Sequence, residues 1–164
     1  MKNSLKHAGA ALVLALALAA AGCSTVGSMA PGTTIGQVQA SHGSPTAVYP
    51  RPDGGQRLEY GSGPWGLHAW MLDFDAGARL LAATQVRDER SFGALREGMS
   101  RDDVLYRIGH PSNVRYLPRQ DHDLWSYNYD NPFCLWFQVS VDRQTHRVAG
   151  TGHAIHPRCV WDRR

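Results

Sequence analysis

Three cysteines and eight histidines are the residues of this 164-residue chain with most chemical potential. His146, His153, His156 and Cys159 offer nitrogen and sulfur ligands of the kind zinc takes, the last three at three-residue spacing. On a strand, positions three apart point to opposite faces. Pro157 also interrupts a regular helix through them. Solvated histidines are therefore expected, and no metal centre. Asp121-His122-Asp123 has the residue types of acid–base catalysis. No serine or cysteine stands in a recognisable nucleophile elbow, and the triplet follows Pro118 in a polar stretch that reads as a loop. Asp73 and Asp75 alternate onto one strand face, as a carboxylate pair would, but beside Ala76-Gly77 they read as capping a hairpin. No glycine loop of the phosphate-cradling type is present. The expectation is a chain with no catalytic residues and no cofactor.

Cys23 has a different setting. Lys2 and Lys6 form a basic start, an apolar run extends from Ala8 to Ala21, and Ala20-Ala21-Gly22-Cys23 closes it. The run is shorter than the roughly 20 apolar residues that span a bilayer, and the pattern is that of an export signal. The small residues before the cysteine resemble the lipobox of bacterial lipoproteins, although Ala20 stands where a larger aliphatic residue is usual. The resemblance implies cleavage after residue 22 and acylation of the Cys23 thiol. With Ser24 next, it also implies sorting to the periplasmic face of the outer membrane. The lipid would then be the contact with the membrane. Both lysines leave with the signal, so 15 arginines face 14 acidic residues. That balance argues against nucleic acid as a partner.

An exported chain meets an oxidising compartment, where Cys134 and Cys159, 25 residues apart, are expected to bridge. Direct strand pairing misses this register by a few residues, so a bulge near Gly150 or Gly152 is required.

The elements that would position these residues repeat. A shift of 66 positions superimposes Gly32 on Gly98, Thr34 on Ser100, Val38 on Val104, Gly43 on Gly109, Pro45 on Pro111, Leu58 on Leu124 and Trp70 on Trp136. One further residue of slip matches Tyr60 to Tyr127, Asp75 to Asp142 and Leu81 to Val148. In the second copy, residues 91–97 form a short helix ended by Gly98, and Ser100 caps a helix carrying Val104, Leu105 and Ile108 that stops at Gly109. Three strands follow. Leu124–Tyr129 and Phe133–Val141 alternate strictly, and Arg147–Ile155 is weaker. The first copy is degraded: one helix over 34–40, then strands over 56–60, 68–75 and 80–86. The predicted fold is α+β, two tandem units of short helices followed by a three-stranded antiparallel meander. The boundaries are a signal over 1–22, a flexible tether over 23–31, a first unit over 32–90 and a second over 91–164.

Gly98-Met99-Ser100, Val104, Ile108-Gly109-His110-Pro111 and Leu124-Trp125-Ser126-Tyr127, together with Cys23, resemble the BamE (SmpA/OmlA) family of small outer-membrane lipoproteins. The likeness is good over Phe92–Val148 and weak over Gly32–Val86. It implies a two-helix, three-stranded unit and a non-catalytic accessory role in outer-membrane protein assembly or envelope integrity. Two units in tandem, where the assembly subunit has one, are a departure. The tandem architecture is similar instead to β-lactamase-inhibitor proteins, whose paired sheets present a concave face, and this implies an alternative role as an enzyme inhibitor or other protein-binding module. Trp70, Trp125, Tyr127, Tyr129 and Trp136 are the candidate protein-binding residues. If the Trp125 and Trp136 faces lie on opposite sides of one sheet, one side needs a cover from the other repeat or from a partner protein of the envelope.

Overall fold

The computed structural model describes residues 25–160; Cys23, the candidate lipid anchor, and the signal over 1–22 lie outside them. Among the described residues no helix is long and apolar enough to cross a membrane.

The expected fold class is wrong. The chain is mostly β, with two four-stranded antiparallel meanders and only short helices. In the first unit α1 (Ile35–His42) precedes β1 (Ala47–Pro50), β2 (Gln56–Gly61), β3 (Ala69–Phe74) and β4 (Leu80–Gln85). In the second, α2 (Glu89–Phe92) and α3 (Arg101–Ile108) precede β5 (Asn113–Leu117), β6 (His122–Asn128), β7 (Leu135–Asp142) and β8 (Val148–Ile155). A final turn of helix, α4, spans Pro157–Val160. The strands absent from the sequence reading are β1 and β5, the first in each meander. Each is an edge strand with little buried side chain, and Val48 and Val114 both face solvent. No alternation of apolar and polar residues marks such a strand.

The duplication is visible in the backbone itself. Thr34 and Ser100 each close a capping box, with Gln37 and Asp103 respectively. Gly43 and Gly109 end the two helices at φ 77° and 76°. Gly32 N–H donates to Leu80 C=O, and Gly98 N–H donates to Val148 C=O, each at 2.8 Å. Tyr60 and Tyr127 hydroxyls donate to the carbonyls of Gly43 and Gly109, both at 3.1 Å. These bonds fix the true correspondence. Leu58 matches Trp125, Trp70 matches Phe137, and Leu80 rather than Leu81 matches Val148. The first copy is thus intact, and its apparent degradation is a divergence of side chains on an unchanged frame.

The residues expected as a tether in part pack into the fold instead. Val26–Ser28 forms a 3-10 turn, and Val26 and Met29 pack on the first core with Trp70. A side chain on Gly27 would run into the Trp70 ring. This turn occupies the place that α2 takes in the second unit.

Each sheet has one face on its own helix. Val38, Leu58, Tyr60, Leu72, Phe74 and Leu80 make the first core. Phe92, Val104, Ile108, Trp125, Tyr127, Phe137, Val139 and Val141 head the second. On β7 the buried residues alternate without a break, and Trp136, Gln138, Ser140 and Asp142 face the other way. In β2 and β3 the alternation fails, because Leu58, Glu59 and Tyr60 are buried in succession, as are Met71 and Leu72. Both faces of the first sheet are covered.

Candidate functional site

What covers the outer face of the first sheet is the C-terminal end of α3. Arg57 donates from Nη1 to the Tyr106 carbonyl at 3.0 Å, and its guanidinium lies 4.3 Å over the Tyr106 ring. Tyr49 meets the same ring edge-on at 5.9 Å. Glu59, fully buried, accepts from the Tyr49 hydroxyl at 2.7 Å, and from the His110 backbone N–H and ring Nδ1 at 2.8 Å each. Desolvation by burial, with the carboxylate beside it, pushes the Tyr49 phenol well above its ordinary range. Asp73 is pushed up by burial but held below the usual carboxylate range by the hydrogen bonds and charges of Arg57 and Arg51. Arg87, in the link between β4 and α2, ties the junction off. It donates to the carbonyls of Gly66 and His110 and to Ser112 Oγ, while its buried Nε has no partner among the described residues. Burial lowers its affinity for the proton. Glu59 orients His110 as a catalytic carboxylate orients a base, yet no hydrogen bond joins His110 to a serine, threonine or cysteine among the described residues. The arrangement fastens one unit to the other.

Among the described residues no helix end covers the same face of the second sheet. Register places Arg115, Leu124, Ser126, Gln138, Ser140 and Gly152 where the first sheet has Tyr49, Arg57, Glu59, Met71, Asp73 and Thr84. Leu124, Gln138 and Ser140 stay part-exposed and Gly152 is open to solvent, while Ser126 is buried beneath Gln138. Nothing lies within 4 Å of where a side chain on Gly152 would begin. Gln138 Nε2 donates to Ser126 Oγ at 3.0 Å, so the centre of the face is neutral and polar. At one end it runs into a cleft of about 490 Å³ lined by Trp136, Trp65, Asn128, Asn113 and His156. The β2–β3 loop of the first unit forms the far wall. Asn128 Nδ2 donates to the Pro64 carbonyl at 3.0 Å, and Arg158 stacks on Trp65, whose ring remains 70 % exposed.

Cys134 and Cys159 are joined in a disulfide, with Cα atoms 6.4 Å apart. A bulge does occur beside Gly150, opposite Ser140 and Val141, but α4 is what closes the gap. Cys134 lies opposite His156, and the helical turn begun by Pro157 carries Cys159 back beside it. Pro157 therefore starts a helix instead of preventing one, since the first position of a helix needs no N–H.

Of the five aromatic candidates, Trp125, Tyr127 and Tyr129 are buried in the second core and Trp70 packs on the first. Only Trp136 reaches the open face. Trp65, which the sequence reading passed over, sits in a loop with no periodicity to mark it. Cys159 is committed to the disulfide, His156 accepts from the Arg158 backbone and bonds Asn128, and His153 sits 3.3 Å from Glu89. Asp121 turns the chain at φ 54°, while His122 and Asp123 belong to β6 and not to a loop. His122 contacts Ser140 Oγ at 2.9 Å and Asp142 at 3.7 Å, which brings together the residue types of acyl transfer. The row lies within the ladder, where the backbone N–H groups of β6 and β7 are spent on strand pairing. Asp75 accepts from the Arg79 N–H at the β3–β4 turn, while Asp73 pairs with Arg57 across the sheet.

No family model matches the chain, and no curated protein matches it. Solved structures offer distant likenesses. An extracellular protein containing a SCP domain from Bacillus anthracis str. Ames is 14% identical over 79% of this chain and 45% of its own, with a TM-score of 0.30. A cysteine-rich secretory protein from Staphylococcus aureus is 12% identical over 80% and 46%, at 0.29. A candidate beta-lactamase inhibitor protein from Streptococcus mutans is 12% identical over 80% and 88%, at 0.31. The chain spans under half the length of the first two. Similarity this low carries no functional argument, and none of these three structures is described as a BamE-family protein.

Proposed function

We propose that the chain is a non-catalytic, exported protein-binding module that holds a folded envelope protein against the outer face of its second sheet. One observation carries this reading. The fold contains the same sheet face twice, and in the first unit that face is filled by a helix end from a neighbouring unit, while in the second it is open and ends at Trp136. The occupant that fits is a loop or helix end of a partner offering neutral hydrogen-bonding groups to Gln138 and Ser140, with one apolar side chain for the cleft. An aromatic-lined pocket beside a polar rim is the usual form of such anchors. The module works where its lipid holds it, with the acyl chain on Cys23 at the periplasmic face of the outer membrane.

The test is a photo-crosslinker at Gln138 in the full chain, with a second at Thr145 on the β7–β8 turn as control. The expected result is one envelope protein captured from position 138 only, with binding reproduced from purified components and weakened at least about tenfold by Trp136→Ala. Equal capture from both positions, or none, overturns the reading. A soluble hydrolase as the captured protein makes the module an inhibitor; a barrel-assembly protein makes it an accessory subunit. Replacing Cys23 by Ala is expected to release the chain from the membrane.

A further inference from the structure

Strand β8 is one edge of the second sheet, and its residues from Ala149 to Ile155 face no further strand among the described residues. The other three edges of the molecule are guarded. β1 is short and ends at Pro50, β5 carries Arg115, and β4 has the turn Val26–Ser28 packed beside it. β8 reads Val-Ala-Gly-Thr-Gly-His-Ala-Ile, with no proline and no formal charge. Edge strands of this composition are the ones that recruit another strand.

The register shows which groups are available. His156 N–H bonds to the Cys134 carbonyl on β7, so by alternation Ala154 and Gly152 also turn inward, and Thr151, His153 and Ile155 turn their N–H and C=O groups outward. At its start the edge is already used once. Val148 N–H donates to the Met99 carbonyl, and Ser100 bridges Arg147 in antiparallel sense. The edge thus accepts an antiparallel partner, and among the described residues 149–155 are left unpaired on this side.

We infer that β8 pairs antiparallel with β8 of a second copy about a two-fold axis at Gly152, joining the two second sheets into one. The midpoint of the free run is residue 152, so this register uses all of it. Thr151 then lies opposite the other copy's His153 and the two exchange both backbone hydrogen bonds, twice by symmetry. Gly150 lies opposite Ala154, and neither obstructs the outer face. The charged groups nearby do not oppose the pairing. Glu89 contacts His153 within its own chain, and Glu97, 4.0 Å from the place of a side chain on Gly150, falls toward the His156 end of the other copy. The axis is isologous, so association closes at two.

The experiment uses the full chain. Sedimentation at tens of micromolar is expected to give the mass of a dimer. In Gly152→Cys the two cysteines meet at a non-hydrogen-bonded pair, about 4.5 Å between Cα atoms, and oxidation is expected to yield a 152–152 crosslinked peptide by mass spectrometry. In Ala149→Cys the two sites lie about 20 Å apart, and no such link is expected. The double variant Thr151→Lys with His153→Lys sets like charges opposite each other and is expected to weaken the dimer about tenfold or more. Thr151→Glu with His153→Lys sets opposite charges there, keeps a cation beside Glu89 and is expected to keep it. A chain of monomer mass at all concentrations overturns the inference. So does crosslinking at 149 as efficient as at 152, or equal dimer stability in the two charge variants.

Discussion

Glu59 of the first unit takes both the backbone N–H and the ring Nδ1 of His110 in the second, each at 2.8 Å. A third donor, the Tyr49 hydroxyl, completes the set. Carboxylate oxygens only accept, so the site is matched to three donors at once.

Substitutions at Glu59 should therefore rank by how many donors they strand. Glu59→Ala leaves all three without their acceptor and is expected to cost about 3–5 kcal/mol. Glu59→Gln turns one acceptor into a donor facing a donor, at about 1–3 kcal/mol. Tyr49→Phe removes a donor and its partner bond together, and should cost least. Urea unfolding midpoints check the order.

The two helix-ending glycines make a matched comparison. Gly43 and Gly109 share the same positive φ, but nothing lies within 4 Å of a side chain at 43, whereas one at 109 would begin 2.7 Å from Glu59 Oε1. Gly43→Ala should cost only the backbone strain of an almost glycine-only conformation, about 1–3 kcal/mol. Gly109→Ala should cost clearly more and perturb the His110 resonances, with Gly43→Ala leaving them in place.

Acid should loosen the junction through Asp73. Its carboxyl is pushed up by burial and more strongly down by Arg57 and Arg51, so the folded chain releases this proton more readily than the unfolded one. The contribution to stability is complete above the ordinary carboxylate range and is lost as pH falls below it. Unfolding followed against pH should show an acid limb that Asp73→Asn flattens. An unchanged limb would place the acid sensitivity elsewhere.

Opening the disulfide should act locally. The chain-entropy estimate for a loop of this length is about 3 kcal/mol, and α4 is the element tied down, through Cys159 to Cys134. Cys134→Ser is expected to lower the thermal midpoint and to speed amide exchange in residues 158–160, while the β5–β7 amides stay protected.

Legibility in the sequence followed burial. β7 was readable because one face packs and the other meets solvent. Capping residue Ser100 and stopping glycine Gly109 give the second helix its bounds, while the first, expected over 34–40, runs on to His42 before Gly43 ends it. β1 and β5 were invisible because an edge strand with exposed side chains needs no pattern. Glu59 was passed over because a charged residue in a strand reads as solvent-facing, and its burial depends on a helix some fifty positions later. The open face could not be found from the aromatics: four of five fill space inside, and the reachable tryptophans lie on the outer face and in a loop.

The helix-end-on-sheet junction relates the units head to tail, and a contact of that kind has no built-in stopping point: repeated from copy to copy it would draw the protein into a fibre. The sequence removes that route at both free ends. At the acceptor end, Glu59, Arg57 and Asp73 have become Ser126, Leu124 and Ser140; at the donor end, Tyr106 and His110 correspond to Ala40 and Ser44. Neither surface keeps the chemistry by which the internal contact is made, and polymerisation halts after a single step.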